Sequence, residues 1–266
     1  MDGASLTPRL GAALPAEQRT AVEGLRTSER RAPRNTCILR ADDIGPRLRT
    51  LRTGWAFRCR MLVDGRRQIV GVLLPGDTVF VSGAAGAVGS AVGQIARLRG
   101  ASRVIGSAGT DEKVAVLTSR YGFDAAFNYK NGKVSRMLHE AAPDGIDVYF
   151  DNVGGEILDA VLTRINRKAR IVICGAISQY NNTEAVKGPA NYLSLLVNRA
   201  KMEGIVVFDN TARFPLAIAE MAGYLKAGTM KSREDVVRGL DTFPESLLKL
   251  FRGENFGKLV LQVAEG

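Results

Sequence analysis

Residues 77–97 read "DTVFVSGAAGAVGSAVGQIAR". Three glycines, Gly83, Gly86 and Gly89, fall at equal spacing between a β-branched apolar run and an Ala/Val-rich one. Such a turn either holds a phosphate or only lets a small-residue helix pack on a sheet. The first reading gives each glycine a task. Gly83 ends a strand where the turn needs freedom that a Cβ would restrict. Gly86 lets a pyrophosphate approach the backbone, facing the unpaired N–H groups and positive dipole end of the next helix. Gly89 allows close helix–strand packing. The pattern is GxxGxxG rather than GxGxxG, so the spacing alone is weak and the surroundings decide.

Those surroundings are regular. Apolar runs predict strands at Thr78–Ser82, Arg103–Ser107, Ala125–Tyr129, Asp147–Asp151, Arg170–Cys174 and Gly204–Phe208. Amphipathic stretches predict helices at Ala87–Arg99, Glu112–Tyr121, Val134–Ala141, Glu156–Ile165, Tyr192–Lys201 and Pro215–Lys226. Strands such as VFV, IVI and IVV are continuously apolar, as strands buried on both faces are. The alternation implies right-handed βαβ units and an α/β, doubly wound parallel sheet. A glycine turn that leaves the first strand of such an array and opens a helix is a cofactor turn. The tail reads as an extended stretch near Asp235–Gly239, a helix over Pro244–Phe251 and a strand "GKLVLQV". It either extends the sheet or belongs to another lobe.

Upstream the pattern fails. Residues 1–75 hold 14 arginines, no lysine and 7 acids, which accounts for +7 of the net charge of +10. Little aliphatic density or period is present, apart from short helical pieces around Glu17–Leu25 and Leu48–Phe57. Acids throughout and few aromatics favour a solvated irregular arm over a nucleic-acid-binding one. No run of about 18 apolar residues exists, and no apolar signal core follows the N-terminus, so neither a membrane span nor secretion is expected. Cys37, Cys59 and Cys174 lack CxxC spacing and fit a reducing compartment, the cytoplasm. The sole histidine, His139, reads as a surface helix residue, so a catalytic triad or multi-histidine metal site is not expected.

The second predicted strand bears on cofactor choice. NAD-specific sites usually end it with Asp or Glu on the ribose hydroxyls. Here it ends "RVIGSAGTDEK", with Ser107, Ala108 and Gly109 at the critical place. Nothing there repels a 2′-phosphate. Lys113, one turn on, is either a surface residue or a ligand for that phosphate; Asp111 and Glu112 are favourable first-turn acids after a Thr110 cap. NADPH is expected over NADH.

"SGAAGAVGSAVGQIARLRG", "GTDEKVAVL", "GFDAAFNYK", "DGIDVYFDNVGGEILD", "ICGAISQYN", "MEGIVVFD" and "GENFGKLVLQV" together resemble the zinc-independent medium-chain dehydrogenase/reductases. Within that family the likeness is to the prostaglandin reductase and NADP-dependent alkenal reductase branch. It runs from about Leu74 to the C-terminus. The resemblance implies a Rossmann domain over residues 74–238 and a C-terminal piece of a catalytic lobe over 239–266. The GroES-like N-terminal lobe would be absent or replaced, because residues 1–73 are too few and do not match.

The resemblance further implies NADPH-dependent reduction of the C=C bond of α,β-unsaturated aldehydes and ketones, with a homodimer as the assembly. Gly86, Ala87, Val88 and Gly89 would hold the pyrophosphate, Lys113 the 2′-phosphate, and Tyr129 the adenosine side. Asn152 would face the cofactor crevice. Cys174, Gly175, Ala176, Ile177, Ser178, Gln179 and Tyr180 would line the nicotinamide half. Ile205, Val206 and Val207 would run beside the nicotinamide, and Asn255 would approach from the tail. No catalytic side chain is assigned: the helix position before "MEG" that would carry a substrate-contacting tyrosine is Val197, and Tyr192 lies five residues earlier. The alternative is an NADPH-binding module without turnover, its substrate cleft lacking one wall.

Overall fold

A computed structural model describes residues 76–264 together with the backbone of two strands, β1 (Arg58–Met61) and β2 (Arg67–Gly71). Two compact units divide the chain, 1–72 and Leu73–Gly266. In the first, β1 and β2 pair antiparallel, with Cys59 opposite Ile69 and Met61 opposite Arg67. The sequence reading expects no strand there, because arginines interrupt the alternation. The signal that could have found the pair is Asp64-Gly65 between two short runs, a hairpin dipeptide. The expected helices at Glu17–Leu25 and Leu48–Phe57 lie outside the described residues.

The second unit is built on six parallel strands: β3 (Thr78–Val81), β4 (Arg103–Ala108), β5 (Ala125–Asn128), β6 (Ile146–Asp151), β7 (Ile165–Ile173) and β8 (Lys201–Gly204). Their order across the sheet is β5-β4-β3-β6-β7-β8. The chain therefore winds outward from β3 in one direction and then from β6 in the other. The crevice where the direction reverses lies at the carboxyl ends of β3 and β6, where open α/β sheets bind ligands.

Both faces of the sheet are covered. Val79, Val81 and Val104 pack with Ala96 of α1 (Ala87–Leu98) and Leu117 of α2 (Asp111–Ser119). Phe80, Ile105 and Tyr149 face the other way, onto Leu138 of α3 (Val134–Ala141) and Val161 of α4 (Gly155–Leu162). Phe80 stacks between Phe127 and Tyr149, at 5.8 and 5.2 Å between ring centroids. Each fully buried side chain of this size contributes about 1.5–3 kcal/mol. That burial explains the continuous apolar runs in the sequence.

The remaining helices are α5 (Leu193–Asn198), α6 (Phe214–Lys226) and α7 (Phe243–Phe251); the last two begin with a proline in the first turn, where the missing N–H costs no bond. The sixth strand departs from expectation. Pairing with β7 places it at Lys201–Gly204, and the "VVF" expected to form it instead enters a 3-10 turn, Val207–Arg213. Extended pairing continues only through Ile205, whose N–H bonds to Ile173. In the tail, β9 (Glu234–Arg238) and β10 (Lys258–Gln262) enclose α7 and form their own parallel pair, so the tail does not extend the main sheet.

A fourth glycine matters as much as the equally spaced three. A Cβ on Gly93 would lie 2.6–2.7 Å from ring carbons of the buried Phe123. Gly93→Ala should therefore overpack this seam and destabilise the domain by about 1–3 kcal/mol in chemical denaturation. An unchanged midpoint would mean that Phe123 moves freely aside.

Candidate cofactor site

The turn from β3 into α1 is held from several sides. Gly83 has φ +58°, a conformation that favours glycine, and its carbonyl accepts from Gly86 N–H at 3.1 Å. A Cβ on Gly89 would overlap the Gly83 carbonyl oxygen and lie 2.7 Å from Ala84 Cα. Gly89 thus brings the helix onto its own entry turn. A Cβ on Gly86 would meet only the Gly83 oxygen, at 3.4 Å, so this position is open on its outer side. Close packing thus accounts for Gly89, while Gly86 keeps an open outer side.

Helix α1 begins uncapped. Its N-cap is Gly86, which offers no side chain, and its first turn carries no acid. The N–H groups of Ala87, Val88 and Gly89 have no carbonyl one turn back to bond within the helix. Ala87 and Val88 are exposed, and the helix dipole adds positive potential at this end. An uncapped, acid-free helix start beside the β3–β6 crevice fits an anion.

The crevice floor is a buried polar network. Asp151 Oδ1 accepts from Ser82 Oγ at 3.0 Å, Tyr149 OH at 2.6 Å, and the N–H groups of Val153 and Gly154 at 2.9 and 2.8 Å. All three side chains are fully buried. Burial, and then the adjacent Asp151 carboxylate, push the Tyr149 hydroxyl well above its usual range, so it stays protonated and donating. Asn152 joins the strands: its N–H donates to Ser82 Oγ at 3.0 Å and its Nδ2 to Ser82 O at 2.7 Å. The sequence reading places Asn152 at the crevice but misses Ser82, Tyr149 and the carboxylate beneath it. Alternation in "YFD" hides them, since a polar group buried at a strand end looks like a turn residue.

Cys174–Tyr180 docks on the same turn. Cys174 and Gly175 N–H groups donate to Asp151 O at 2.8 and 3.1 Å, Ile177 N–H to Asn152 O, and Ser178 N–H and Oγ to Val153 O. Tyr180 OH accepts from Ala176 N–H at 3.2 Å, and Gln179 N–H closes on Ala176 O. Gly154, Gly155, Ile173, Gly175, Ala176 and Gln179 line part of a cavity of about 420 Å³ beside it. Ile205, Val206 and Val207 follow the end of β8 and are 44–58% exposed, an apolar edge beyond this loop.

The tail reaches the glycine turn. Gly257 N–H donates to Ala85 O at 3.0 Å and pairs with Gly86, while Asn255 Nδ2 donates to Gly257 O at 3.0 Å. The buried Gln94 on α1 fastens the chain just before β9, exchanging hydrogen bonds with the Lys231 backbone at 2.9 and 2.7 Å. Neither Gln94 nor the buried Phe256 is singled out in the sequence: Gln94 bonds to Lys231, 137 residues on, and the Phe256 ring meets Arg233 and the distant Lys113 only once the chain has folded.

At the end of β4, Ser107 and Ala108 are buried and Gly109 follows, with no carboxylate among them. Thr110 caps α2, accepting from Lys113 N–H. Lys113 is nearly buried: its ammonium donates to Gly253 O at 2.5 Å and lies 6.0 Å from the Phe256 ring. Burial first, and then the charge of Lys130, lower its pKa. An ammonium has three donors, so the bond to Gly253 leaves others for an anion. Tyr129 sits beside Gly109, its hydroxyl 3.0 Å from where a Cβ on that glycine would be. The sequence-predicted residues thus fall along the carboxyl edge of one sheet: Lys113 and Tyr129 at β4 and β5, Gly86–Gly89 and Asn152 at the crevice, Cys174–Tyr180 and Ile205–Val207 at β7 and β8, and Asn255 from the tail. Among the residues left unassigned, His139, Tyr192 and Val197 are exposed.

A family profile described as zinc-binding dehydrogenase matches residues 87–223. A 2-alkenal reductase (NADP(+)-dependent) of Nicotiana tabacum is 48% identical over 190 residues, covering 71% of this chain and 55% of that protein. Prostaglandin reductase 1 of Mus musculus is 45% identical, covering 70% and 57%. The crystal structure of CurA from Vibrio vulnificus in complex with NADPH is 42% identical, with a TM-score of 0.68 over 72% of this chain and 58% of that one. The chain belongs to this dehydrogenase family, the medium-chain dehydrogenase/reductases, and to its alkenal and prostaglandin reductase branch. It spans a little over half the length of these relatives. Among the described residues no three His, Cys, Asp or Glu side chains come together as a metal ion needs, so they do not fit the zinc of the family's description. No described helix is long and apolar enough to cross a membrane.

Cys174 is exposed, yet burial of part of its side chain, and then the charge of Asp151, raise its thiol pKa. At a given pH the reactive thiolate is therefore scarcer than in an unstructured peptide. Alkylation by iodoacetamide at pH 8, read on the Cys174 peptide by mass spectrometry, should run slower in the folded chain than in the denatured one. A folded rate equal or faster contradicts this environment.

Proposed function

We propose that this chain binds NADPH and serves reduction of the C=C bond of α,β-unsaturated aldehydes and ketones. One observation carries the reading: the uncapped start of α1 opens beside the β3–β6 crevice, while Ser107–Gly109 at the end of β4 carry no carboxylate and Lys113 lies in the first turn of the helix that follows. The printed activities of the tobacco and mouse relatives, 2-alkenal and prostaglandin reductase, support the substrate class.

NADPH, when bound, supplies the hydride. The chain's part is to hold and orient. The N–H groups of Ala87, Val88 and Gly89 receive the pyrophosphate, and Lys113 with Tyr129 the phosphorylated ribose. Asn152, Cys174–Tyr180 and Asn255 line the path toward the nicotinamide. Ile205–Val207 give an apolar flank that keeps water from the reacting face. We read residues 74–238 as the nucleotide domain and 239–266 as part of a catalytic lobe. The free edge of β8 suits pairing with a second copy, and the cytoplasm suits a chain that keeps its thiols reduced. Neither nucleic acid nor a membrane is a partner in this reading.

NADPH fluorescence titration and NADPH oxidation with a small enone, read at 340 nm, test both halves. Tight binding with oxidation is expected; binding without oxidation would favour a cofactor-binding module instead. Lys113→Ala should weaken NADPH about tenfold to a hundredfold and NADH far less, since a hydrogen bond to a charged group contributes about 1.5–3 kcal/mol. Equal losses for the two cofactors would remove Lys113 from this role.

A further inference from the structure

We propose that Lys130 is a second cation for the 2′-phosphate and that Asp111 positions it. This inference rests on the NADPH reading above. The turn after β5 folds back over the end of β4. Gly109, where β4 ends, has Tyr129 OH on one side, and a Cβ there would lie 3.4 Å from Lys130 Cε. The aliphatic stem of Lys130 therefore lies across the position where a dinucleotide site chooses between a ribose hydroxyl and its phosphate.

The turn is pinned rather than loose. Asn128 Nδ2 and Asn131 Nδ2 both donate to Asp111 Oδ1, at 2.8 and 2.9 Å. Asn128 Oδ1 accepts from Lys130 N–H at 3.1 Å, and Asn131 N–H closes on Asn128 O at 3.1 Å. Asp111, read from sequence only as a first-turn acid, thus anchors the residues that flank Gly109. Its carboxylate accepts two neutral amides, so it is a positioning group here. Lys130 also stands close enough to Lys113 for its charge to lower the Lys113 ammonium's pKa. Two like charges held together are mutually unfavourable, and a dianionic phosphate between them would relieve that. Lys113 is nearly buried and fixed by Gly253, whereas Lys130 is exposed and can adjust. The pair would combine a rigid donor with a mobile one.

The test is titration of NADPH and NADH into the wild-type chain and into Lys130→Ala, Asp111→Ala and Asp111→Asn. Lys130→Ala should raise the NADPH Kd about tenfold and leave the NADH Kd within about twofold. Asp111→Ala should give a smaller loss confined to NADPH, and Asp111→Asn, which keeps an acceptor oxygen, should restore most of it. A merely structural role for Asp111 would move both cofactors together. If Lys130→Ala shifts both cofactors equally, or neither, the proposal is wrong while the NADPH reading stands on the wild-type preference and on Lys113→Ala. If the wild-type chain binds NADPH no tighter than NADH, the cofactor reading itself fails and takes this proposal with it.

Discussion

The approach of α1 to its own entry turn governs this domain. At Gly89 the helix lies so near the Gly83 carbonyl that any side chain would overlap it. The approach fixes where the helix begins relative to the end of β3. The first-turn N–H groups of α1 consequently open beside the crevice rather than against a neighbouring element. Gly93 extends the same seam, accepting the Phe123 ring where a Cβ would sit. Close packing and the open helix start are therefore two consequences of one missing set of side chains.

The rest of the site is arranged around that helix start. Asp151, buried under Ser82, Tyr149 and two backbone N–H groups, locks the end of β6 to the end of β3. Hydrogen bonds to a charged group contribute about 1.5–3 kcal/mol each, and an unpaired buried carboxylate would cost more. The network thus ties the ends of the two strands together beneath the crevice. Cys174–Tyr180 is fastened to the same turn mainly through backbone bonds to Asp151, Asn152 and Val153, with Ser178 Oγ adding one to Val153 O. From the opposite side the tail contributes Gly257 to the glycine turn and Gly253 to Lys113. A segment far along the chain thus touches both the glycine turn and Lys113.

How far the sequence reveals this depends on whether the interaction is local. The glycine turn, the Thr110 cap and the strand–helix alternation are local, and all are visible in the residues. The six-stranded sheet follows from apolar runs that must be buried on both faces. The sixth strand is misplaced because "IVVF" has strand composition but "KMEG" has the partner: pairing with β7 outweighs propensity. Likewise β1 and β2 hide behind arginines, and Asp111 looks like a simple dipole-favouring acid until Asn128 and Asn131 fold back on it. Gln94 and Phe256 carry no pattern at all, since what they do is set by residues brought close only by the fold.

The open outer side of Gly86 is where the proposed anion would approach the backbone. Gly86→Val fills that space while meeting little protein, since a Cβ there encounters only the Gly83 oxygen at 3.4 Å. Far-UV circular dichroism and an NADPH fluorescence titration on one sample separate fold from binding. A wild-type spectrum with NADPH affinity reduced about a hundredfold or more is expected. A folded Gly86→Val protein that binds NADPH as tightly as the wild type would contradict it, and the glycine turn would be a packing device alone.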